Sequence, residues 1–216
     1  MRTSIIIVDD HPLIRKGLKL MIESEPDYKV IGQAQSSEEA YPIIKKVKPD
    51  LVIVDISLPG LSGLELIKLL LNEVTDLKIM VLSRHDESIY AERVIRAGAK
   101  AYLMKHMAGD LIIEAIEHVM NGGIYVSENM NEKLLRSMTD NEDEHKYRLS
   151  KLSDRELEIF DLTGRGMTNK EIAERLFLSV KTVESYRTRI RVKLHLKNYN
   201  DLVLIASQWV DNEKII

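Results

Sequence analysis

No cysteine occurs among the 216 residues. That excludes a disulfide framework and any cysteine-ligated zinc site, and it agrees with a reducing compartment. No apolar run approaches the ~18 residues of a membrane span. The first segment, MRTSIIIVDDHP, has too short an apolar run for a signal peptide and carries two acids directly after it. A cytoplasmic protein is therefore expected. No glycine-rich loop follows the first apolar run, which disfavours a nucleotide-binding enzyme.

What is present is ordinary in bulk and uneven in detail. The chain is 44 % hydrophobic and 30 % charged, as in soluble globular proteins, and long enough for two ordinary domains. Residues 1–123 carry 15 Lys and Arg against 18 Asp and Glu, residues 124–149 carry 4 against 6, and residues 150–216 carry 12 against 10. Within 181–197 the count is 6 basic to 1 acidic. A basic stripe on an otherwise acidic chain points to a polyanionic partner for that segment alone.

Two periods alternate over residues 1–123. Apolar runs at SIIIVDD (4–10), YKVIGQA (28–34), LVIVD (51–55), KIMVLS (78–83) and AYLM (101–104) read as strands, with helical patterns between and after them. Pro12 suits a first helical turn. Ser36 and Glu39 have capping-box spacing, and Pro42 fits that helix only if it falls in the first turn. Gly98 and Gly122 stand where helices end. Five strands alternating with five helices give a doubly wound α/β domain with a parallel sheet. Residues 124–149 break the rhythm: IYVSENMNEKLLRSM is compatible with a short helix, and TDNEDEHKYR reads as an exposed linker. From 150 the pattern is all helical. Capping-box pairs at Ser153/Glu156 and Thr168/Glu171, then a short helix, a turn and a longer basic helix, give a four-helix domain containing a helix-turn-helix.

The stretch LVIVDISLPG (51–60) runs a buried strand into a carboxylate, which is costly unless Asp55 meets positive charge. Ligands of open parallel sheets sit beyond the strands' carboxyl ends. Those ends carry Asp9 and Asp10, Asp55, Ser83 and Lys105. Three carboxylates, a hydroxyl and an ammonium on one rim form an oxygen-rich site suited to Mg²⁺. A carboxylate there is a usable nucleophile toward phosphorus, with Lys105 and Ser83 binding the other phosphoryl oxygens.

The first ~123 residues resemble a response-regulator receiver domain, on VDD (8–10), VDISLPG (54–60), VLS (81–83) and AYLMK (101–105). The resemblance implies Asp55 as phosphoacceptor and Asp10, Asp55 and the Ser57 carbonyl as metal ligands, with Asp9 acting mainly through water. It implies Ser83 as the switch hydroxyl and Tyr102 as the aromatic that follows it. Arg84 stands where many receivers have a small residue, and His106 where Pro or Asp is usual, which bears on dephosphorylation and access. His11 and His85 lie nearby in sequence and are read as solvated rim histidines, with a direct role at the site as the lesser alternative. A haloacid-dehalogenase-type phosphatase, the alternative with an aspartyl nucleophile, needs a second Asp at the position of Ser57. No enzyme is expected.

On a helix over 181–194, Val183, Tyr186, Ile190 and Leu194 share one face with Arg187 at its margin. The opposite face carries Lys181, Glu184, Ser185, Thr188, Arg189 and Val192. Lys181, Arg187 and Arg189 are assigned to phosphates, and Glu184, Ser185 and Thr188 to base edges, Glu184 otherwise pairing with a basic neighbour. Residues 150–205 resemble the LuxR/NarL-type helix-turn-helix, on LSDRELEIF, GMTNKEIAERLFLS and VKTVESYRTRIRVKL. The whole chain thus looks like a NarL/FixJ-type response regulator. That implies a sensor histidine kinase and double-stranded DNA as partners, and a homodimer on DNA through the final helix. Leu202, Val203, Ile205 and Ala206 are the dimer candidates, or else core of their own domain, which Trp209 would cap.

Overall fold

The computed structural model describes residues 2–85, 87–128, 130–131, 149 and 151–213. The chain divides into two compact units, Met1–Thr139 and Asp140–Ile216.

The first unit carries five strands, β1 (Thr3–Val8), β2 (Tyr28–Ala34), β3 (Leu51–Val54), β4 (Lys78–Ser83) and β5 (Ala101–Met104). Helices α1 (Pro12–Glu23), α2 (Ser37–Val47), α3 (Gly63–Glu73), α4 (Glu87–Arg96) and α5 (Ala108–Met120) follow them in turn, α5 after a short 3₁₀ turn at Lys105–Met107. The sheet is all parallel in the order β2-β1-β3-β4-β5. All four residues of β3 are buried, as strands covered on both faces must be. One core layer joins Ile5, Ile7, Ile53, Met80 and Leu103 to Leu18 and Ile22 of α1 and Ile112, Ile116 and Val119 of α5. By the two-residue period, the alternate residues, among them Tyr102, face the other layer.

Local chemistry sets the helix ends, with some departures from expectation. Pro42 lies in the second turn of α2, not the first, so the helix accepts a missing N–H donor there. Ser36 caps α2, but the Glu39 carboxylate takes the N–H of Gln35 instead of closing the box. A complete capping box instead opens α3, between Ser62 and Glu65.

After α5 the chain turns back along the sheet. Tyr125 bridges β5, donating its N–H to Lys100 O at 2.9 Å and accepting from Tyr102 N at 2.9 Å. The acidic stretch TDNEDEHKYR and most of the helix anticipated at IYVSENMNEKLLRSM lie outside the described residues.

The second unit holds α6 (Asp154–Gly164), α7 (Asn169–Arg175), α8 (Val180–Lys193) and α9 (Tyr199–Glu213). Capping boxes open α6 at Ser153/Glu156 and α7 at Thr168/Glu171. α6 packs on α9 at close range: a Cβ on Gly164 would stand 2.2 Å from the carbonyl oxygen of Ala206, so a side chain there would push the helices apart. Phe160 and Trp209 pack at 5.5 Å between ring centroids. Among the described residues no helix is long and apolar enough to cross a membrane.

Candidate functional site

β1 and β3 are neighbours, and their register pairs Val8 with Val54. The next residue on each strand is an aspartate, so Asp9 and Asp55 emerge side by side at the carboxyl edge. Asp55 N donates to Val8 O at 2.8 Å, which ties the two ends together. Gly63, the first residue of α3, closes the floor. A Cβ there would lie 2.0 Å from the Asp55 carbonyl oxygen, so any side chain would displace the strand end.

Lys105 enters from the end of β5. Its Nζ stands 2.6 Å from Asp9 Oδ2 and 2.7 Å from Asp55 Oδ2. Asp9 and Asp55 are each 2 % exposed and the Lys105 side chain 6 %. The two buried carboxylates thus share one ammonium, with Asp10 beside them and the Arg15 guanidinium donating to the Asp9 carbonyl oxygen at 2.5 Å. Ligand atoms of Asp9, Asp10, His11 and Asp55 lie within 4.8 Å of one another. His11 Nδ1 is 2.6 Å from Asp10 Oδ1 and 3.1 Å from Asp9 Oδ1. Three carboxylates whose oxygens cluster at this spacing fit a hard divalent cation. The loop after β3 folds back so that Ser57 N donates to Asp55 Oδ1 at 3.2 Å.

Ser83, at the end of β4, is fully buried, and Tyr102 on β5 is nearly so. Both are bound to one residue. His85 N donates to Ser83 Oγ at 3.1 Å, and Tyr102 OH donates to His85 O at 2.8 Å. The imidazole reaches across to Ser57 Oγ at 2.6 Å and stacks on Tyr90 of α4 at 4.6 Å. His85 is 4 % exposed, which corrects its reading as a solvated rim histidine. Its partners lie 28 residues upstream and on the following helix, so no local pattern reveals its burial. Exposed Arg84 turns the other way, with Nη2 3.3 Å from His11 Nε2 above the carboxylates.

In the second unit, Val183 and Ile190 of α8 and Leu194 at its C-cap are buried, and Lys181, Glu184, Ser185, Thr188 and Arg189 are exposed. Ser185 and Thr188 donate their hydroxyl protons to Lys181 O and Glu184 O, both at 2.9 Å, which leaves their lone pairs outward as acceptors. Among the described residues no ion pair or hydrogen bond engages the Glu184 carboxylate. Arg189 lies over the Tyr186 ring at 4.7 Å.

Arg187 is a correction. It is 5 % exposed and donates to Thr163 Oγ1 at 3.1 Å, to Met167 O at 2.9 Å and to the Tyr199 hydroxyl. Burial pushes its pKa down from the ordinary value, opposed by Tyr199. This guanidinium ties α8 to α6 and to the start of α9 and is closed to a DNA phosphate. Lys193 is likewise drawn inward, 2.5 Å from Glu156 Oε2. The exposed apolar Phe177, Val180 and Val192 were not singled out from sequence, except Val192 as part of the outer face.

The dimer candidates on α9 also separate. Leu202 and Ala206, with Val210, are buried in the unit's own core, 1 %, 0 % and 2 % exposed, so the first two cannot meet a partner. Val203 and Ile205 are half-buried, and Leu204 between them is 56 % exposed.

With this geometry in hand, comparison with known proteins is direct. Residues 5–117 match the family described as response regulator receiver domain, and residues 150–206 match bacterial regulatory proteins of the luxR family. The oxygen regulatory protein NreC of Staphylococcus carnosus is 37 % identical over 209 residues, spanning 94 % of this chain and 95 % of its own. The transcriptional regulatory protein DegU of Brevibacillus brevis is 33 % identical over 225 residues, spanning 97 % and 95 %. A LuxR-family two-component response regulator from an Aurantimonas species superposes with a TM-score of 0.60 at 28 % identity, over 65 % of this chain and 100 % of that one. RcsB of Salmonella enterica serovar Typhimurium, solved bound to the rprA promoter, shares the fold with a TM-score of 0.69 at 24 % identity, over 96 % and 99 %. A five-stranded parallel domain with its acidic rim, followed by a four-helix domain with an exposed basic helix, is matched in both halves by one architecture: the chain belongs to the NarL/FixJ-type response regulators, DNA-binding regulators with a receiver domain and a LuxR-type helix-turn-helix.

Proposed function

We propose that this chain is a transcription factor controlled by phosphorylation of Asp55 by a sensor histidine kinase. The observation that carries the reading is the buried Asp55 carboxylate, 2.7 Å from Lys105 and beside Asp9 and Asp10, on the same rim as Ser83. An Asp55 oxygen attacks the phosphorus of the kinase's phosphohistidine. A P–O bond forms, the P–N bond breaks, and the leaving imidazole takes a proton from solvent. A Mg²⁺ ion held by Asp10, Asp55 and the Ser57 carbonyl, with Asp9 acting through water, would neutralise the phosphoryl oxygens. Lys105 leaves Asp9 to bind one phosphoryl oxygen, and Ser83 turns to bind another, with Tyr102 following.

In the second domain α8 enters the major groove N-terminal end first. Lys181 and Arg189 bind phosphates, while Glu184, Ser185 and Thr188 read base edges. The protein pairs on DNA through Val203, Leu204 and Ile205 of α9. We take residues 1–123 as receiver, 124–149 as linker and 150–216 as DNA-binding domain.

The test is labelling by a small phosphodonor in Mg²⁺, with footprinting on genomic fragments before and after. Asp55→Asn is expected to take no acid-labile phosphate and to lose the phosphodonor-dependent footprint. Full-rate labelling of that variant moves the acceptor elsewhere.

A further inference from the structure

A cavity of about 200 Å³ lies along one flank of α8, lined by Asn169, Glu184, Arg187, Thr188, Arg191 and Tyr199. Its polar groups are only partly engaged. Arg191 is half-buried, and among the described residues no ion pair, hydrogen bond or ring contact engages its guanidinium. Asn169 Oδ1 is buried with no hydrogen-bond partner among the described residues. A half-turn of that amide replaces the orphaned oxygen by an NH₂ donor. The Tyr199 hydroxyl accepts from Arg187, whose guanidinium also lies over the ring at 5.1 Å. A hydroxyl that accepts from a guanidinium keeps its own proton to donate, and the polarisation makes it a stronger donor. Arg187 has its donors on Thr163, Met167 and Tyr199, so it reaches the cavity through Tyr199.

The position of the cavity on the helix decides what can fill it. At about 100° per residue, Lys181, Ser185, Thr188 and Val192 mark the middle of the exposed face. Arg189 stands about 70° to one side of that middle and Arg191 about 90° to the other. A helix roughly 10–12 Å across fills a major groove about 12 Å wide, so each of its flanks faces one phosphate strand. Arg189 serves the first strand. On the other flank Glu184 alone would repel the backbone, but Arg187 and Arg191 line the same cavity and outnumber it. We propose that this cavity seats a backbone phosphate of the second strand, bound by Arg191 and the Tyr199 hydroxyl with the Asn169 amide as a further donor. The recognition helix is then clamped from both sides. Such contacts fix the register in which Glu184, Ser185 and Thr188 meet the bases.

The inference rests on α8 entering the major groove. Its test uses the full chain and a duplex recovered by binding-site selection on the wild-type protein. Arg191→Ala is expected to weaken binding about tenfold, the loss of one hydrogen bond between charged groups, and to lower the salt dependence by roughly one unit. Its melting temperature should stay at the wild-type value, because the side chain has no protein partner to lose. Arg191→Lys keeps the charge and should restore the salt dependence. Tyr199→Phe keeps the ring under Arg187 and removes only the hydroxyl, so it should weaken binding about fivefold with the salt dependence unchanged. Ethylation of the phosphates then reads the strand. Arg191→Ala should abolish interference at a phosphate of one strand, and Arg189→Ala at a phosphate of the other. Unchanged affinity and salt dependence in Arg191→Ala, or interference lost on the same strand as in Arg189→Ala, overturns the clamp. The two readings fail separately. If Lys181→Ala, Arg189→Ala and Arg191→Ala all bind like wild type, the placement of α8 falls and the clamp with it. If Arg189→Ala lowers the salt dependence and Arg191→Ala does not, the clamp falls and the groove-bound helix stands.

Discussion

Replacing Lys105 with methionine keeps an unbranched, flexible side chain one atom shorter and removes its charge. In the native site its ammonium stands 2.6 Å from Asp9 and 2.7 Å from Asp55, and all three side chains are at least nine-tenths buried. Solvent screening therefore gives little discount. At 2.7 Å and an effective dielectric of 20, Coulomb attraction is about 6 kcal/mol per pair. Desolvation of three charges takes back several kcal/mol for each. The larger effect in the variant is two neighbouring carboxylates left buried without a cation, which by analogy with other broken buried pairs costs about 3–5 kcal/mol. The assay is urea unfolding of the first domain's transition in a chelator and again in saturating Mg²⁺. In chelator Lys105→Met should lose about 3–5 kcal/mol relative to wild type. In Mg²⁺ much of that should return, because a divalent cation binds the folded carboxylates and not the unfolded chain. Mg²⁺ affinity should rise, since the competing ammonium has gone, while phosphate transfer to Asp55 should slow. A loss below about 1 kcal/mol in chelator, the range of an exposed pair, would refute the reasoning that Lys105 neutralises this pair.

Arg187→Ala should cost the second domain about 3 kcal/mol, because three acceptors lose a charged donor, whereas Lys181→Ala and Arg189→Ala should leave stability within about 0.5 kcal/mol and lower the salt dependence of DNA binding by roughly one unit each; an Arg187→Ala protein of native stability with a lowered salt slope would reverse this assignment. Glu156 is pulled below the usual carboxylate range: burial alone would raise its pKa, but Lys193 and Ser153 outweigh it. Its contribution to stability is thus present above the unfolded pKa and lost as pH falls through the folded one, so Glu156→Gln should flatten the acid side of the second domain's pH–stability curve, and an unchanged acid limb counts against the pairing. Leu204→Glu should weaken pairing on DNA without lowering the melting temperature, while Leu202→Ala should destabilise the domain by about 2–5 kcal/mol; sedimentation on an operator duplex and thermal melts separate the two.

The parts of the molecule legible in its sequence are those whose cause is local or periodic. Four apolar residues before Asp55 form a strand buried on both faces, and the strand order then brings Asp9 and Lys105 to its end without any further information. What could not be read depends on contacts distant along the chain. Arg187 sits at the margin of a helical wheel, and only the fold brings Met167 O and Tyr199 to it, 20 and 12 residues away. His85 looks polar and rim-like until Ser57 and Tyr90 enclose it. In LVLIA (202–206) the apolar residues are continuous, so composition cannot choose a face. The choice is made by α6, whose Gly164 backs onto the Ala206 carbonyl. That contact puts Leu202, Ala206 and Val210, four residues apart, inside and leaves Leu204 out.

A phosphoryl group adds charge at one point, and its effect elsewhere must run through an element with two arrangements. The receiver's outgoing chain is bonded to the elements that hold that switch. Tyr102 N, on the residue whose hydroxyl binds His85, donates to Tyr125 O, and Tyr125 N donates to Lys100 O. Two residues later Ser127 N donates to Glu87 Oε1 at 2.8 Å, and Glu87 opens α4, the helix whose Tyr90 supports the His85 ring. Among the described residues, the segment leaving the receiver is thus fixed by hydrogen bonds to the ends of β5 and α4. Under the proposed relay, a shift of the loop after β4 reaches this segment without crossing the sheet. The carboxylate strands can then stay rigid, as metal and phosphoryl binding require, while the loop, α4 and the exit segment move.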